Sequence, residues 1–236
     1  MSYEHLFFDW DHTLWDFETN SKQALEKIFY EYDLRKFGVL SPQHFIDTYM
    51  PINYTMWKEF REGKMDAATV KIKRFQDTFQ KFGVVDMVLV NDVKSFYLDK
   101  LPLGGALMPN VLKTIKILNE NFELHVVTNG FLEVTQHKLA HSNLASFFRT
   151  VLSAEEVGVL KPNTKVFQEA LKRSGASAER SLFIGDNLIA DVQGARNAGM
   201  HQVFFNPLGH AHEESPTYEI NDFQELLDIL GVGKMV

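Results

Sequence analysis

Apolar and polar positions fall into two textures along the chain. Leu6-Phe7-Phe8 is a short apolar run that stops at Asp9, which predicts a buried strand. From about Asp16 to Leu101 the apolar positions recur at helical spacing. Examples are residues 22–32, 41–50, 54–61 and 67–82, punctuated by Gly38, Gly63 and Gly83. No run of alternating strands interrupts this stretch. Beyond Leu103 helices and strands alternate. Helices are expected over 109–119 (opened by Pro109), 132–141, 164–173, 190–198 and 222–230, with strands over 123–127, 150–152, 181–184 and 202–205. Such alternation predicts an α/β fold, a parallel sheet covered by helices on both faces.

Polar residues gather just after the predicted strand ends, at Asp9, Thr128 and Asp186. Open α/β sheets bind ligands outside the carboxyl ends of their strands. Three separated motifs are therefore expected to meet at one site, with the inserted helical stretch as a cap over it. The division that follows is a core of residues 1–15 and 103–236 and an all-helical cap of residues 16–102.

Composition narrows the chemistry. The 236 residues are 45% hydrophobic and 23% charged, ordinary values for a folded chain, and 20 Phe, 7 Tyr and 3 Trp supply a core. A formal charge of −7 argues against binding a nucleic acid polymer. There is no cysteine, which excludes disulfides, thiolate metal sites and a cysteine nucleophile. Any metal must sit on oxygen or imidazole. No stretch is long and apolar enough to span a membrane, and Met1-Ser2-Tyr3-Glu4-His5 lacks the basic opening of a signal peptide. A cytoplasmic protein is expected, and Asn53-Tyr54-Thr55 is read as a chance glycosylation match.

Four motifs carry chemistry. In Asp9-Trp10-Asp11-His12-Thr13, residues i and i+2 of an extended segment face one side, so both carboxylates do. Paired carboxylates call for a cation, a proton or a partner. One can serve as nucleophile or metal ligand and the other as proton donor, against the plainer reading of two solvated loop acids. Thr128-Asn129-Gly130 offers a hydroxyl and backbone N–H groups to phosphate oxygens, or is an ordinary capped turn. Lys161-Pro162 places a lysine at a loop-to-helix junction, where it can neutralise a phosphate or orient a carboxylate. Gly185-Asp186 offers oxygen to a hard cation, and Asp191, five residues on, is a supporting partner or a helix cap.

In order and spacing these motifs resemble the haloacid dehalogenase superfamily, in its phosphatase branch. The pattern D-x-D-x-T, a strand-end Ser/Thr, a Lys and G-D-x(4)-D is met by Asp9/Asp11/Thr13, Thr128, Lys161 and Gly185-Asp186/Asp191. Residues 8–16, 57–64, 185–199 and Asn206-Pro207 look closest to its pyrimidine 5′-nucleotidase-like members. The resemblance covers essentially the whole chain. It implies a Rossmann-like core with a small helical cap, and a phosphomonoester hydrolase acting on small phosphorylated metabolites, nucleoside 5′-monophosphates among them. It further implies Asp9 as nucleophile forming an aspartyl-phosphate, and Asp11 as acid and base. Thr128, the Asn129 backbone and Lys161 would hold phosphoryl oxygens. Mg²⁺ would bind the Asp9 and Asp186 carboxylates and the Asp11 carbonyl, with Asp191 positioning Lys161 or a metal-bound water. Retention of Asp11, which dehalogenases of this fold lack, favours ester hydrolysis over carbon–halogen cleavage. One departure is His12, where many members carry glycine.

Two rival functions remain. One is a phosphoglycolate or sugar-phosphate phosphatase of the same fold, and the other is a non-catalytic phosphate-binding regulatory protein. The sequence is compatible with a monomer and with a homodimer. The segments near Asp16 and residues 103–108 are the expected hinges of cap motion. His137 and His141, four apart on a helix, lack a third metal ligand, and His210 and His212 read as loop residues. Gly231-Val232-Gly233-Lys234 has no helix after it and is not a phosphate loop. Trp57, Phe60, Arg74 and Phe75 fit either cap packing or contact with a leaving group.

Overall fold

A computed structural model of the chain describes residues 3–232. Met1, Ser2 and residues 233–236 lie outside the described residues, and so do Gly233 and Lys234 of the C-terminal glycine–lysine run. Two compact units emerge: Met1–Phe17 with Gly105–Val236, and Glu18–Gly104.

The first unit is built on six parallel strands, β1 (His5–Phe8), β2 (Glu123–Thr128), β3 (Phe148–Ser153), β4 (Ser181–Gly185), β5 (His201–Phe205) and β6 (Tyr218–Ile220). Their order is β3-β2-β1-β4-β5-β6, which puts β1 at the centre. Successive residues of β1 face opposite ways. Phe7 joins a core with Val127, Leu152, Val166, Phe167 and Phe183. Phe8 meets Phe148 and Phe223 on the other side. Burial on both faces is why β1 reads as a continuous apolar run rather than an alternating one. β6, only three residues long, was absent from the sequence expectation.

The second unit is helical throughout. After α1 (Phe17–Glu31) come α2 (Pro42–Arg61), α3 (Ala67–Lys81) and α4 (Met87–Lys100). Ser41, Asp66 and Asp86 cap α2, α3 and α4 through their side chains, each supplying an acceptor to a first-turn N–H that lacks one. The sequence suggested a break before Tyr54, yet α2 runs unbroken through Pro51. Proline forfeits one intrahelical bond, while Phe45, Ile46, Tyr49, Met50, Asn53 and Met56 on the same helix are all buried. Packing outweighs the local cost. Phe75 packs between Tyr49 and Tyr97, with ring centres 5.1 and 5.2 Å away, tilted against the first and edge-on to the second. Arg74 donates to Asn53 Oδ1 at 3.0 Å and is itself buried. Both residues therefore serve the core of this unit.

The remaining helices, α5 (Val111–Leu118), α6 (Leu132–His141), α7 (Ala154–Val157), α8 (Thr164–Ser174), α9 (Gly194–Asn197) and α10 (Glu225–Leu230), belong to the α/β unit. The single helix expected over 190–198 begins instead as a π-helical stretch, Leu188–Gln193, that leads into α9. No helix among the described residues is long and apolar enough to cross a membrane.

Candidate active site

β1 lies between β2 and β4, with Phe8 in register with Val126 and Ile184. The residues following these strands therefore emerge side by side. Asp9 continues the ladder by donating its N–H to the Ile184 carbonyl at 2.9 Å. Trp10 is fully buried, while Asp9 and Asp11 are each partly exposed, as the alternation of an extended segment requires. The Trp10 carbonyl then accepts from Leu14 N at 3.0 Å and Trp15 N at 2.9 Å, closing a tight loop in which His12 adopts a left-handed φ of 66°. That conformation favours glycine, which gives a physical reason for glycine being usual at this position in the family that the motif resembles.

Lys161 is the hub of the deep part of the site. Its ammonium donates to Asp9 Oδ1 at 2.8 Å, Asp191 Oδ1 at 2.7 Å and the Val127 carbonyl at 2.9 Å. All three N–H donors of a lysine are thereby satisfied. The Asn129 side chain fixes the Lys161 backbone from both sides, accepting from its N–H at 2.8 Å and donating to its carbonyl at 3.1 Å. Asp191 is a partner of Lys161 rather than a helix cap. The cap role falls to Asn187, whose side chain accepts from Ile189 N and Ala190 N, while Asp191 Oδ2 accepts from Asn187 N at 3.0 Å. Gly185 makes room for this arrangement, since a Cβ there would stand 2.4 Å from Asp191 Cγ.

Asp186 accepts from Thr13 Oγ1 at 3.0 Å, so the last residue of the first motif ties it to the fourth. Carboxylate oxygens of Asp9, Asp186 and Asp191 all lie within 4.8 Å of one another. Burial, more than the charge of Asp191, pushes Asp9 up to about 6 against the pull of Lys161. Burial and the Asp9 charge push Asp186 to about 6 as well. Burial likewise raises Asp191 against the pull of Lys161. For Lys161, burial acts downward, and the charges of Asp191 and Asp9 outweigh it and raise its pKa. The cluster holds more negative charge than one lysine balances.

Asp11 has different surroundings. Its Oδ1 accepts from Lys138 Nζ at 2.5 Å. Lys138 sits on α6, is 3% exposed, and lies 4.1 Å from the centre of the Trp15 ring and 5.7 Å from that of Phe17. The other oxygen, Oδ2, faces the turn after β2. A Cβ on Gly130 would stand 3.6 Å from it and 3.2 Å from Thr128 Oγ1. Thr128 is buried and accepts from Gly130 N at 2.9 Å, and Ser153 Oγ donates to the Gly130 carbonyl at 2.7 Å. The geometry thus brings Asp9, Asp11, Thr128, Asn129, Lys161, Asp186 and Asp191 to one end of the sheet.

Residues 3–199 match the haloacid dehalogenase-like hydrolase family model. The chain belongs to the haloacid dehalogenase-like hydrolases. It is 33% identical to pyrimidine 5′-nucleotidase PynA of Streptococcus pneumoniae over 98% of this chain and 96% of that protein. It is 26% identical to pyrimidine 5′-nucleotidase YjjG of Escherichia coli over 98% and 99%. Among solved structures, the HAD-hydrolase YfnB of Bacillus subtilis, bound to magnesium, superposes with a TM-score of 0.88 at 30% identity, covering 98% of this chain and all of that one.

Within this hydrolase fold the residues present fit a hard divalent cation. Asp9 and Asp186 offer oxygen ligands, the type that Mg²⁺ prefers, and their raised pKa values mark charge that a cation relieves. His137 and His141 form no such site. The His141 ring nitrogen meets the His137 carbonyl at 2.8 Å, and neither residue is in a metal-compatible cluster among the described residues. Sequence reasoning missed Lys138. It lies in the last turn of α6, where a lysine ordinarily reads as a solvated charge. The sequence carries no local signal for it, because its burial depends on the Trp15 ring that packs over it.

Proposed function

We propose that this hydrolase is a Mg²⁺-dependent phosphomonoesterase that works through an aspartyl-phosphate at Asp9. Its substrates are small phosphorylated metabolites, with nucleoside 5′-monophosphates, pyrimidine nucleotides first, as the favoured class. The observation that carries the reading is the division of labour between two carboxylates on one segment. Asp9 has one oxygen anchored by Lys161 beside Asp186, and Asp11 is held separately by Lys138. The relatives named pyrimidine 5′-nucleotidase, matched over nearly the full chain, support the choice of nucleotides.

In this reading the free oxygen of Asp9 attacks phosphorus, and the bond to the leaving oxygen breaks. Asp11 protonates that oxygen, then takes a proton from the water that hydrolyses the acyl-phosphate. Thr128 and the backbone of Asn129 orient phosphoryl oxygens, and Lys161 keeps Asp9 aligned while its charge faces the incoming phosphate. The Asp9 and Asp186 carboxylates and the Asp11 carbonyl would hold Mg²⁺, which when bound would supply shielding between an anionic nucleophile and an anionic substrate.

The test is a panel of phosphate esters with Mg²⁺, in which nucleoside 5′-monophosphates, sugar phosphates and phosphoglycolate are compared side by side. Hydrolysis with the highest kcat/KM on pyrimidine nucleotides is expected. Preference for phosphoglycolate or a sugar phosphate replaces the substrate class and keeps the chemistry. Binding of phosphate with no hydrolysis of any ester overturns the enzyme reading in favour of a regulatory protein.

A further inference from the structure

We propose that Lys138 is the positioning residue of the proton donor, fixing the Asp11 carboxylate so that Oδ2 meets the leaving oxygen. The inference rests on the phosphatase reading above and adds to it a residue outside the motif set. Four observations on the α/β unit carry it. The Lys138 ammonium contacts Asp11 Oδ1 at 2.5 Å, the one side-chain hydrogen bond that Asp11 makes among the described residues. Lys138 is 3% exposed, so it is no solvated surface charge. Trp15 lies across it at 4.1 Å, within cation–π range. Trp15 is itself fixed, since its N–H donates to the Trp10 carbonyl and its carbonyl accepts from His12 N, both at 2.9 Å.

A lysine is costly to bury unless an opposite charge and polarisable neighbours replace its water. Here both are supplied by the loop that carries the proton donor. The Asp11 side chain retains 26% exposure, and without the contact its carboxylate is free to rotate into solvent. Holding one oxygen aims the other, and alignment of a proton donor governs how well it works. α6 also starts at the phosphate-binding turn, where Glu155 Oε2 accepts from Leu132 N at 3.0 Å. One helix therefore links the group that holds phosphate to the group that aims the acid.

In the step concerned, an Asp9 oxygen forms a bond to phosphorus and the phosphorus–oxygen bond of the ester breaks. The proton on Asp11 passes to the departing oxygen. An alkoxide needs that proton, and 4-nitrophenolate, stable as an anion, does not. The experiment compares kcat/KM, which reports this first step, for uridine 5′-monophosphate and 4-nitrophenyl phosphate. Ribose 5-phosphate serves as the alkyl ester where the wild type does not turn over the nucleotide. Lys138→Met is expected to lower kcat/KM on the alkyl ester about 100-fold and on the aryl ester by less than about fivefold, while Lys138→Arg restores the ratio between the two. Lys138→Gln, which keeps a donor without the charge, is measured alongside and stands in if the methionine variant does not fold, with the same selective loss expected. Equal losses on both esters assign Lys138 a purely structural role and overturn the proposal, as does no loss on either. A wild type that hydrolyses neither alkyl nor aryl ester is a separate outcome and contradicts the phosphatase reading itself.

Discussion

Asp9 and Asp11 stand two residues apart, yet each is held by a different device. Asp9 emerges from the central strand into a network of buried groups. Lys161 binds it, Asp191 binds Lys161, and Asn129 locks the Lys161 backbone. Asp11 lies one step outward, held by a single lysine from α6 under the Trp15 ring. Asp9, the proposed nucleophile, is set by the segments that follow β1, β2 and β4 and by the loop between α7 and α8 that carries Lys161, and Asp11, the proposed acid, by one helix and one loop. The difference fits their tasks. A nucleophile must meet phosphorus in one geometry, whereas an acid that later serves as a base must reach a leaving group and then a water.

The largest effect that this contrast predicts is on turnover. Asp9→Asn should lower kcat by about 10⁴-fold or more on every ester, as removal of a covalent nucleophile does. Asp11→Asn should cost about 10²- to 10⁴-fold on alkyl esters and leave Mg²⁺ affinity nearly unchanged in calorimetry. Similar substrate-independent losses for both variants would erase the distinction. The next effect is on stability. Lys161→Met leaves the Asp9 and Asp191 carboxylates without their cation, and urea unfolding should register a loss of about 3–5 kcal/mol. Lys138→Met frees an aspartate that can turn to water, and about 1 kcal/mol is expected. Equal losses would show the two lysines to be alike.

A pH series sharpens the contrast further. Asp9 and Asp186 rise from 3.8 to about 6 on folding. The folded state therefore binds their protons more tightly, and the stability that these groups contribute is fully present below pH 3.8 and lost as pH rises through about 6. Mg²⁺ competes with the same protons. The rise in melting temperature on adding Mg²⁺ should be near zero below pH 3.8, grow through about 6 and then level off. A rise independent of pH across that window would place the cation elsewhere. The smallest effect is at His12. Replacing it with glycine should relieve the left-handed backbone and stabilise the protein by up to about 1 kcal/mol, seen as a higher urea midpoint. A loss instead would show that the His12 side chain contributes more than its backbone costs.

How much of this was legible in the sequence follows the same divide. β1, β2 and β4 are buried on both faces, so their apolar runs stand out and the acids that end them are conspicuous. Asp9, Thr128 and Asp186 were found in that way. β6 escaped because three residues at a sheet edge give too short a pattern to read. The helical spacing suggested a break between Met50 and Tyr54 that the buried face of α2 overrides. The π-helical stretch that carries Asp191 was read as plain helix, because its extra residue per turn leaves no mark on composition. Lys138 escaped for a general reason. Whether a helical lysine is solvated or buried depends on what packs over it, and here the covering ring, Trp15, comes from a loop more than a hundred residues away in sequence.

Chemical trapping of Asp9 tests the central claim most directly. The protein is mixed with Mg²⁺ and an ester that it hydrolyses, quenched during turnover and reduced with borohydride, which converts an aspartyl-phosphate to homoserine. Peptide mass spectrometry should find homoserine at position 9, and with 4-nitrophenyl phosphate, whose leaving group needs no proton, its level should rise in Asp11→Asn as breakdown of the intermediate slows. Turnover with no modification of Asp9 in either protein, or with homoserine at another aspartate, would contradict the assignment of Asp9 as the nucleophile.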